Sequence, residues 1–251
     1  MKSSHLLLLS FVFLSFTLSA PEGSVPDIEK DLVAYYSFNQ CDARDESGNE
    51  SHGRMYGGVS CWCGVQGEGL LLDGQTDYIE FGGRVNAAFG TTDFTISFYF
   101  KSSGHSVFEQ SLFSKRELPD SVRMMDLRLN RERKLLITEV YEHTWKYYSG
   151  LSPEAATDTW VHYALVRKGT WAYTYINGIL QNTSRKCSGV DISNEALLSF
   201  SNSPLIQIGK ARRFKGILDE LRVYERALTG EEIYNLYLKN PVEEANDDCL
   251  T

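Results

Sequence analysis

One aspartate sits where an apolar strand should not carry a charge. In Ile217-Leu218-Asp219-Glu220-Leu221-Arg222-Val223, alternation puts Asp219 on one face with Ile217, Leu221 and Val223. A carboxylate there must be hydrogen-bonded, protonated or bound to a metal. The segment from Asp45 to Gly53 carries carboxylate and amide oxygens, Asp45 and Asn49, on a tight turn around Gly48. Hard oxygens on an irregular loop are what calcium prefers. The alternative is that Asp219 caps a neighbouring loop through N–H bonds alone.

Other chemistry is thin. A glycosidase needs two carboxylates flanking the scissile bond, and no alternating run of acids on one strand face is present. Glu139 and Glu142 have the wrong spacing for one face, and Asp219 and Glu220 point to opposite faces. His162 falls inside an apolar strand, and His105 and His143 lie near polar turns without the partners of a nucleophilic triad. A sugar-binding site needs aromatic faces with polar neighbours. Tyr141, Trp145, Tyr147 and Tyr148 around Lys146 form the best such cluster, with Trp62 and Trp171 as further candidates. Core packing is the competing reading for each of them.

The elements that must position these residues are strands. Phe94, Ile96, Phe98 and Phe100 share one face, with Thr95, Ser97 and Tyr99 on the other, which is strict period two. Val122–Asn130 and Lys134–Val140 read as a strand pair. Trp160–Arg167 is apolar on both faces and belongs between two layers. Asn177-Gly178 between Tyr173–Ile176 and Ile179-Leu180 is a strong hairpin signal, because both turn positions need positive φ. Leu205–Gly209 and Ile217–Tyr224 are expected as the last strands. One helix follows: Thr229 and Glu232 fit a capping box, Leu228 and Ile233 a hydrophobic staple, and Pro241 a stop. Many strands and one short C-terminal helix predict an all-β, two-sheet antiparallel sandwich.

The first twenty residues stand apart. Lys2, the apolar run Leu6–Leu18 and the small pair Ser19-Ala20 read as a signal peptide cut after Ala20. The apolar core is shorter than the ~20 residues of a membrane span. The expected organisation is a signal peptide at 1–20, a leader at 21–31, one domain at 32–240 and an acidic tail at 241–251. Export suits the five cysteines, since disulfides persist in oxidising compartments. Cys41 is expected to pair with Cys61 or Cys63; an odd count leaves at least one cysteine free or shared with another chain. Asn49-Glu50-Ser51 and Asn182-Thr183-Ser184 are glycosylation sequons. The net charge of −8 argues against nucleic acid and anionic lipid surfaces as partners.

An ordered set of short motifs then resembles a family. It runs from Tyr36-Ser37-Phe38 through Asp45-x-Ser47-Gly48-Asn49-x-x-His52-Gly53, Leu72-Asp73-Gly74 and Asp77-Tyr78-Ile79. It continues through Phe94–Phe98, Trp160–Ala164 and Tyr175–Gly178 to Gly216-x-Leu218–Tyr224 and Arg226–Thr229. Residues 32 to 239 thus resemble a laminin-G-like jelly roll of the concanavalin A-like lectin and glucanase superfamily. The resemblance implies a jelly-roll sandwich, recognition of carbohydrate or protein, and a structural calcium ion. It joins the two acidic segments into one site, which implies Asp45, Asn49, His52 (through its backbone oxygen) and Asp219 as calcium ligands. The expected function is a secreted, non-catalytic module binding carbohydrate or a surface glycoprotein. The alternative is a protein adhesion module, with a glycoside hydrolase behind both.

Overall fold

The computed structural model describes residues 27–103, 106–130, 135–143, 146–152, 158–184 and 191–245. The expected signal peptide, most of the leader, His105, Trp145, Cys187, Cys249 and the end of the acidic tail lie outside the described residues.

The alternating segments form strands that assemble into two sheets. The first sheet has the order β13 (Ile179–Ser184), β12 (Trp171–Ile176), β11 (Trp160–Lys168), β6 (Phe94–Ser102), β16 (Lys215–Tyr224), β4 (Glu68–Asp73) and β3 (Ser60–Cys63). A further strand, β1 (Leu32–Tyr36), pairs with β16. The second sheet has the order β10 (Lys146–Ser152), β9 (Leu135–His143), β8 (Met124–Asn130), β7 (Glu109–Lys115), β14 (Leu198–Phe200), β5 (Tyr78–Phe81) and β2 (Gly53–Tyr56). All pairings are antiparallel except that of the two-residue β15 (Arg212–Arg213), which runs parallel to β7.

The core lies between the sheets. Phe94, Ile96, Phe98 and Phe100 from the first meet Phe81, Phe113, Met125, Leu127, Leu129 and Phe200 from the second. Phe113 sits 4.7 Å from Phe98 and 4.9 Å from Phe200, ring centre to ring centre, in tilted or edge contacts. Such aromatic geometry adds to plain area burial. One hydroxyl pair also bridges the layers: Thr138 Oγ1 on β9 and Tyr163 Oη on β11 are 2.5 Å apart. The turn after β4 carries the chain from one sheet to the other, since β4 and β5 belong to different sheets. Asp73 holds that turn by accepting N–H bonds from Gln75, Thr76 and Asp77.

The C-terminal helix α2 (Gly230–Lys239) covers the outer face of the first sheet. Its capping box forms as the sequence requires: Glu232 N donates to Thr229 Oγ1, and Thr229 N donates to Glu232 Oε2. Ile233 and Leu236 pack on Ala164, Val166 and Tyr224. Coverage by α2 explains why the face carrying Thr95, Ser97 and Tyr99 is as buried as the opposite one.

Two expectations change. Leu205–Gly209 is not a strand: Pro204–Gln207 forms a one-turn helix, α1, with Pro at its start. Ser203 caps it by accepting from Leu205 N, and proline is pre-organised for a first helical turn. The second change is the face of Asp219. A bulge between Asp219 and Arg222, with Glu220 at φ 50°, breaks the alternation. Leu218, Leu221 and Val223 enter the main core, whereas Ile217 packs in a separate cluster with Val65, Tyr99 and Trp160. Asp219 stands opposite Tyr99 in the ladder, away from Leu221 and Val223.

Candidate binding face

On β8 the alternation is simple: Met125, Leu127 and Leu129 enter the core, and Asp126 and Arg128 take the opposite face. A bulge on β7 lets Leu112 and Phe113 both enter the core, which leaves Ser111 and Ser114 facing outward. The register then aligns residues across the second sheet. Glu139 stands opposite Asp126, Asp126 opposite Ser114, Ser114 opposite Ser199, Ser199 opposite Glu80 and Glu80 opposite Arg54. One polar row therefore crosses β9, β8, β7, β14, β5 and β2.

Charges in this row are organised by Arg128. Its Nε donates to Glu109 at 2.7 Å, and its Nη1 donates to Asp126 at 2.7 Å and to Glu139 at 2.8 Å. Arg116 adds a second cation 3.5 Å from Asp126. Burial pushes the Asp126 carboxyl above the ordinary carboxylate range, and the pull of Arg128 and Arg116 only partly offsets it. Even so, hydrogen bonding is incomplete. Asp126 Oδ1, Arg116 Nε and Ser114 Oγ are buried without a partner among the described residues. An unmet buried polar group costs about 1–3 kcal/mol, so three on one face call for an explanation.

A groove of ≈ 360 Å³ opens over this part of the face. Glu80, Ser199 and Arg116 line it from the sheet, and Glu195, Asn202, Ser203 and Gln207 from the loops around α1. The lining mixes hydrogen-bond donors and acceptors with the apolar Leu197 and Pro204. The chemistry on offer is hydrogen bonding to a polyhydroxylated or amide-rich ligand. The three carboxylates nearest Arg128 are tied to it, which sets them apart from an acid and base facing each other across a gap.

The expected calcium ligands are placed in two separate turns. Asp45 Oδ1 accepts from Tyr35 N and Ser47 N, and its Oδ2 accepts from Ser51 N. Burial raises its pKa, but these N–H bonds together bring it below the ordinary value. Asp45 N donates to His52 Nδ1, the backbone oxygen of His52 accepts from Gly82, and Asn49 Nδ2 donates to Leu32 O and Ser47 Oγ. Asp219, fully buried, accepts from Glu220 N at 2.8 Å and Gln66 N at 3.2 Å. Burial, followed by the neighbouring Glu220, drives its carboxyl well above the ordinary range. The two acids share no hydrogen-bond partner. Among the described residues no group of three His, Cys, Asp or Glu could hold a metal ion.

The aromatic candidates are dispersed. Tyr141 on β9 is half-buried on the second sheet, with Tyr147 opposite it in the ladder and Tyr148 opposite Val140. Trp62 is exposed on β3, an edge of the other sheet. Trp145 lies outside the described residues. Cys41 bridges Cys61, as one of the two expected pairings had it, and Cys63 is also disulfide-bonded. His162 is a core histidine: its Nε2 is 2.8 Å from Ser97 Oγ, and burial lowers its pKa to about 3. Sequence reasoning missed Asp126, Arg128, Arg116 and the row they belong to. The signal was present, since Asp126 and Arg128 alternate strictly with Met125, Leu127 and Leu129.

Comparison with solved structures places this architecture. Domain 4 of AbnA, an extracellular GH43 arabinanase from Geobacillus stearothermophilus solved with arabinotriose, is similar at TM-score 0.65 and 22% identity, over 82% of this chain and 98% of that domain. The binding domain of Paraclostridial Mosquitocidal Protein 1 is similar at TM-score 0.68 and 18% identity, over 84% of this chain and 52% of that one. The binding domain of botulinum neurotoxin DC, solved with rat synaptotagmin II, gives 0.67 and 12%, over 85% and 52%. The chain thus spans about half the length of the toxin binding domains it matches. At these identities the likeness is one of fold. No curated protein matches the chain significantly. The laminin-G-like family described as the concanavalin A-like lectin/glucanases superfamily matches residues 73–234, well over half the chain, and this protein belongs to it.

Proposed function

We propose that this protein is a secreted, non-catalytic recognition module that binds carbohydrate, free or on a surface glycoprotein, in the groove over the polar row. The observation that carries the reading is the lining of that groove, where Glu80, Ser199, Asn202 and Gln207 present hydrogen-bonding groups beside the apolar Leu197 and Pro204. Donors and acceptors beside apolar side chains suit a ligand that carries hydroxyls on a ring with an apolar face. Similar folds lend support, since one was solved with arabinotriose and another with SialylT. Secretion rests on the N-terminal Lys2, Leu6–Leu18 and Ala20 pattern together with the Cys41–Cys61 bridge. A structural calcium ion held by Asp45, Asn49, the His52 backbone oxygen and Asp219 is a separate proposal that the groove does not require.

The test is a glycan array on the mature protein, followed by titration of each hit against Glu80→Ala and Gln207→Ala. Both residues line the groove without being buried. Loss of binding with an unchanged melting temperature supports the groove. Undiminished binding in both variants removes it.

A second reading has its own observation. Ile179 and Leu180 on the edge strand β13 and Tyr234 and Leu238 on α2 are exposed where strand and helix meet. Such a patch suits contact with another protein. A silent array, with binding to a partner protein lost in Leu238→Glu, would favour it.

A further inference from the structure

A second pocket, of ≈ 490 Å³, lies where β15 meets the turn after β4. Its wall carries Arg212, Arg213 and Lys215 within four residues of chain, in a protein of net charge −8. None of the three forms an ion pair with the described residues. Asp73 is the one carboxylate among the lining residues. It accepts N–H bonds from Gln75, Thr76 and Asp77 and a hydroxyl bond from Thr76, which hold it ionised below the ordinary range even against its slight burial. Asp73 and the neighbouring Asp77 offset Arg213 in part, and with Arg212 and Lys215 beside it the pocket keeps a surplus of positive charge.

The cations are also held in place. The Arg212 guanidinium lies 4.2 Å from the centre of the Phe108 ring, and that of Arg213 lies 4.3 Å from Tyr78. Arg213 Nη1 is fixed further by donating to Ser201 O at 2.9 Å and Asn202 Oδ1 at 3.4 Å. The backbone N–H of Lys215 donates to Gln110 Oε1, which fixes the strand that carries the ammonium group. Phe108 and Val107 remain exposed at the rim. Stacked, oriented guanidiniums beside a free aromatic face recognise a planar or tetrahedral oxyanion carried on a ring with an apolar side. Asn202 also lines the groove over the polar row, so Arg213 and Asn202 bridge the two cavities.

We propose that this basic pocket binds the carboxylate or sulfate group of an acidic sugar, adjoining the groove that holds the neutral part of the glycan. The inference rests on the reading of the protein as a glycan binder. The test titrates the mature protein with 3′-sialyllactose, a sulfated lactose, lactose itself and a glutamate-rich peptide, at low and high salt. The acidic sugars should bind about tenfold more tightly than lactose, and high salt should erase the difference. Arg212→Ala and Lys215→Ala should each reduce the preference, with unchanged melting temperature and unchanged lactose binding. Preference for sialyl over sulfated sugar, or the reverse, names the oxyanion. Equal affinity for lactose and both acidic sugars overturns the pocket assignment and leaves the groove reading intact. Tighter binding of the peptide than of either acidic sugar overturns the sugar assignment. Absence of binding to every sugar, with a silent array, overturns the glycan reading and this inference together.

Discussion

Arg128 and Asp126, two residues apart on β8, are joined at 2.7 Å on a face from which solvent is almost excluded. The same guanidinium holds Glu109 and Glu139, and Arg116 assists it only at Asp126. Arg128→Ala should cost about 3–5 kcal/mol, because it strands buried charge. Arg128→Met combined with Asp126→Leu should cost less than Arg128→Ala alone. Urea denaturation of the variants checks this; a double variant as unstable as the sum of both singles would mean the pair is not coupled as described.

His162 gives a pH signature. Buried between Tyr99 and Tyr237, it stays neutral in the fold until about pH 3, whereas an unfolded histidine titrates near 6.5. The unfolded chain therefore binds more protons below pH 6.5, and stability must fall as pH falls through that window. At 1.36 kcal/mol per pH unit, the loss by pH 4 is on the order of a few kcal/mol. His162→Gln should flatten the stability profile between pH 6.5 and 4. An unchanged slope would show that the imidazole titrates freely in the fold.

The Cys41–Cys61 bridge closes a loop with a sequence separation of 20. Chain-entropy arguments assign such a loop about 3 kcal/mol. Cys41→Ser with Cys61→Ser should lower the denaturation midpoint accordingly, and an unshifted midpoint would show that local packing alone holds the loop.

Asp219 ties the Gly64–Gly67 turn to β16 by accepting N–H bonds from Gln66 and Glu220. Any side chain at Gly64 would collide with this carboxylate, 2.3 Å from where a Cβ would stand. Asp219→Ala should lower the melting temperature equally in calcium and in chelator. A loss confined to calcium buffer would restore a metal to this position.

Much of this architecture was legible in the residues. Phe94–Phe100 alternates so strictly that its faces could be assigned, and Thr229 with Glu232 marked the start of α2. Leu205–Gly209 was misread because Ser203 and Pro204 start a helical turn, whereas the face of Asp219 and the unforeseen polar row have another cause. Alternation assumes an unbroken strand, and the bulges at Asp219–Arg222 and Ser111–Ser114 reverse the parity on one side. Neither bulge has a glycine to announce it. The candidate site was less legible than the fold. Its row draws on strands far apart in sequence, and only the register shows that Arg54, Glu80 and Asp126 lie on one line across the sheet.

That row has a consequence for assembly. Its residues come from positions 54, 80, 114, 126, 139 and 199, and β14 is the strand that joins its two halves. A nascent or truncated chain lacking Leu198–Phe200 would hold β2 and β5 apart from β7, β8 and β9, with the polar line cut in two. Such non-local closure comes late and slowly in β-rich folds. The polar row therefore exists only in the whole sandwich, a surface that no half of the molecule can carry.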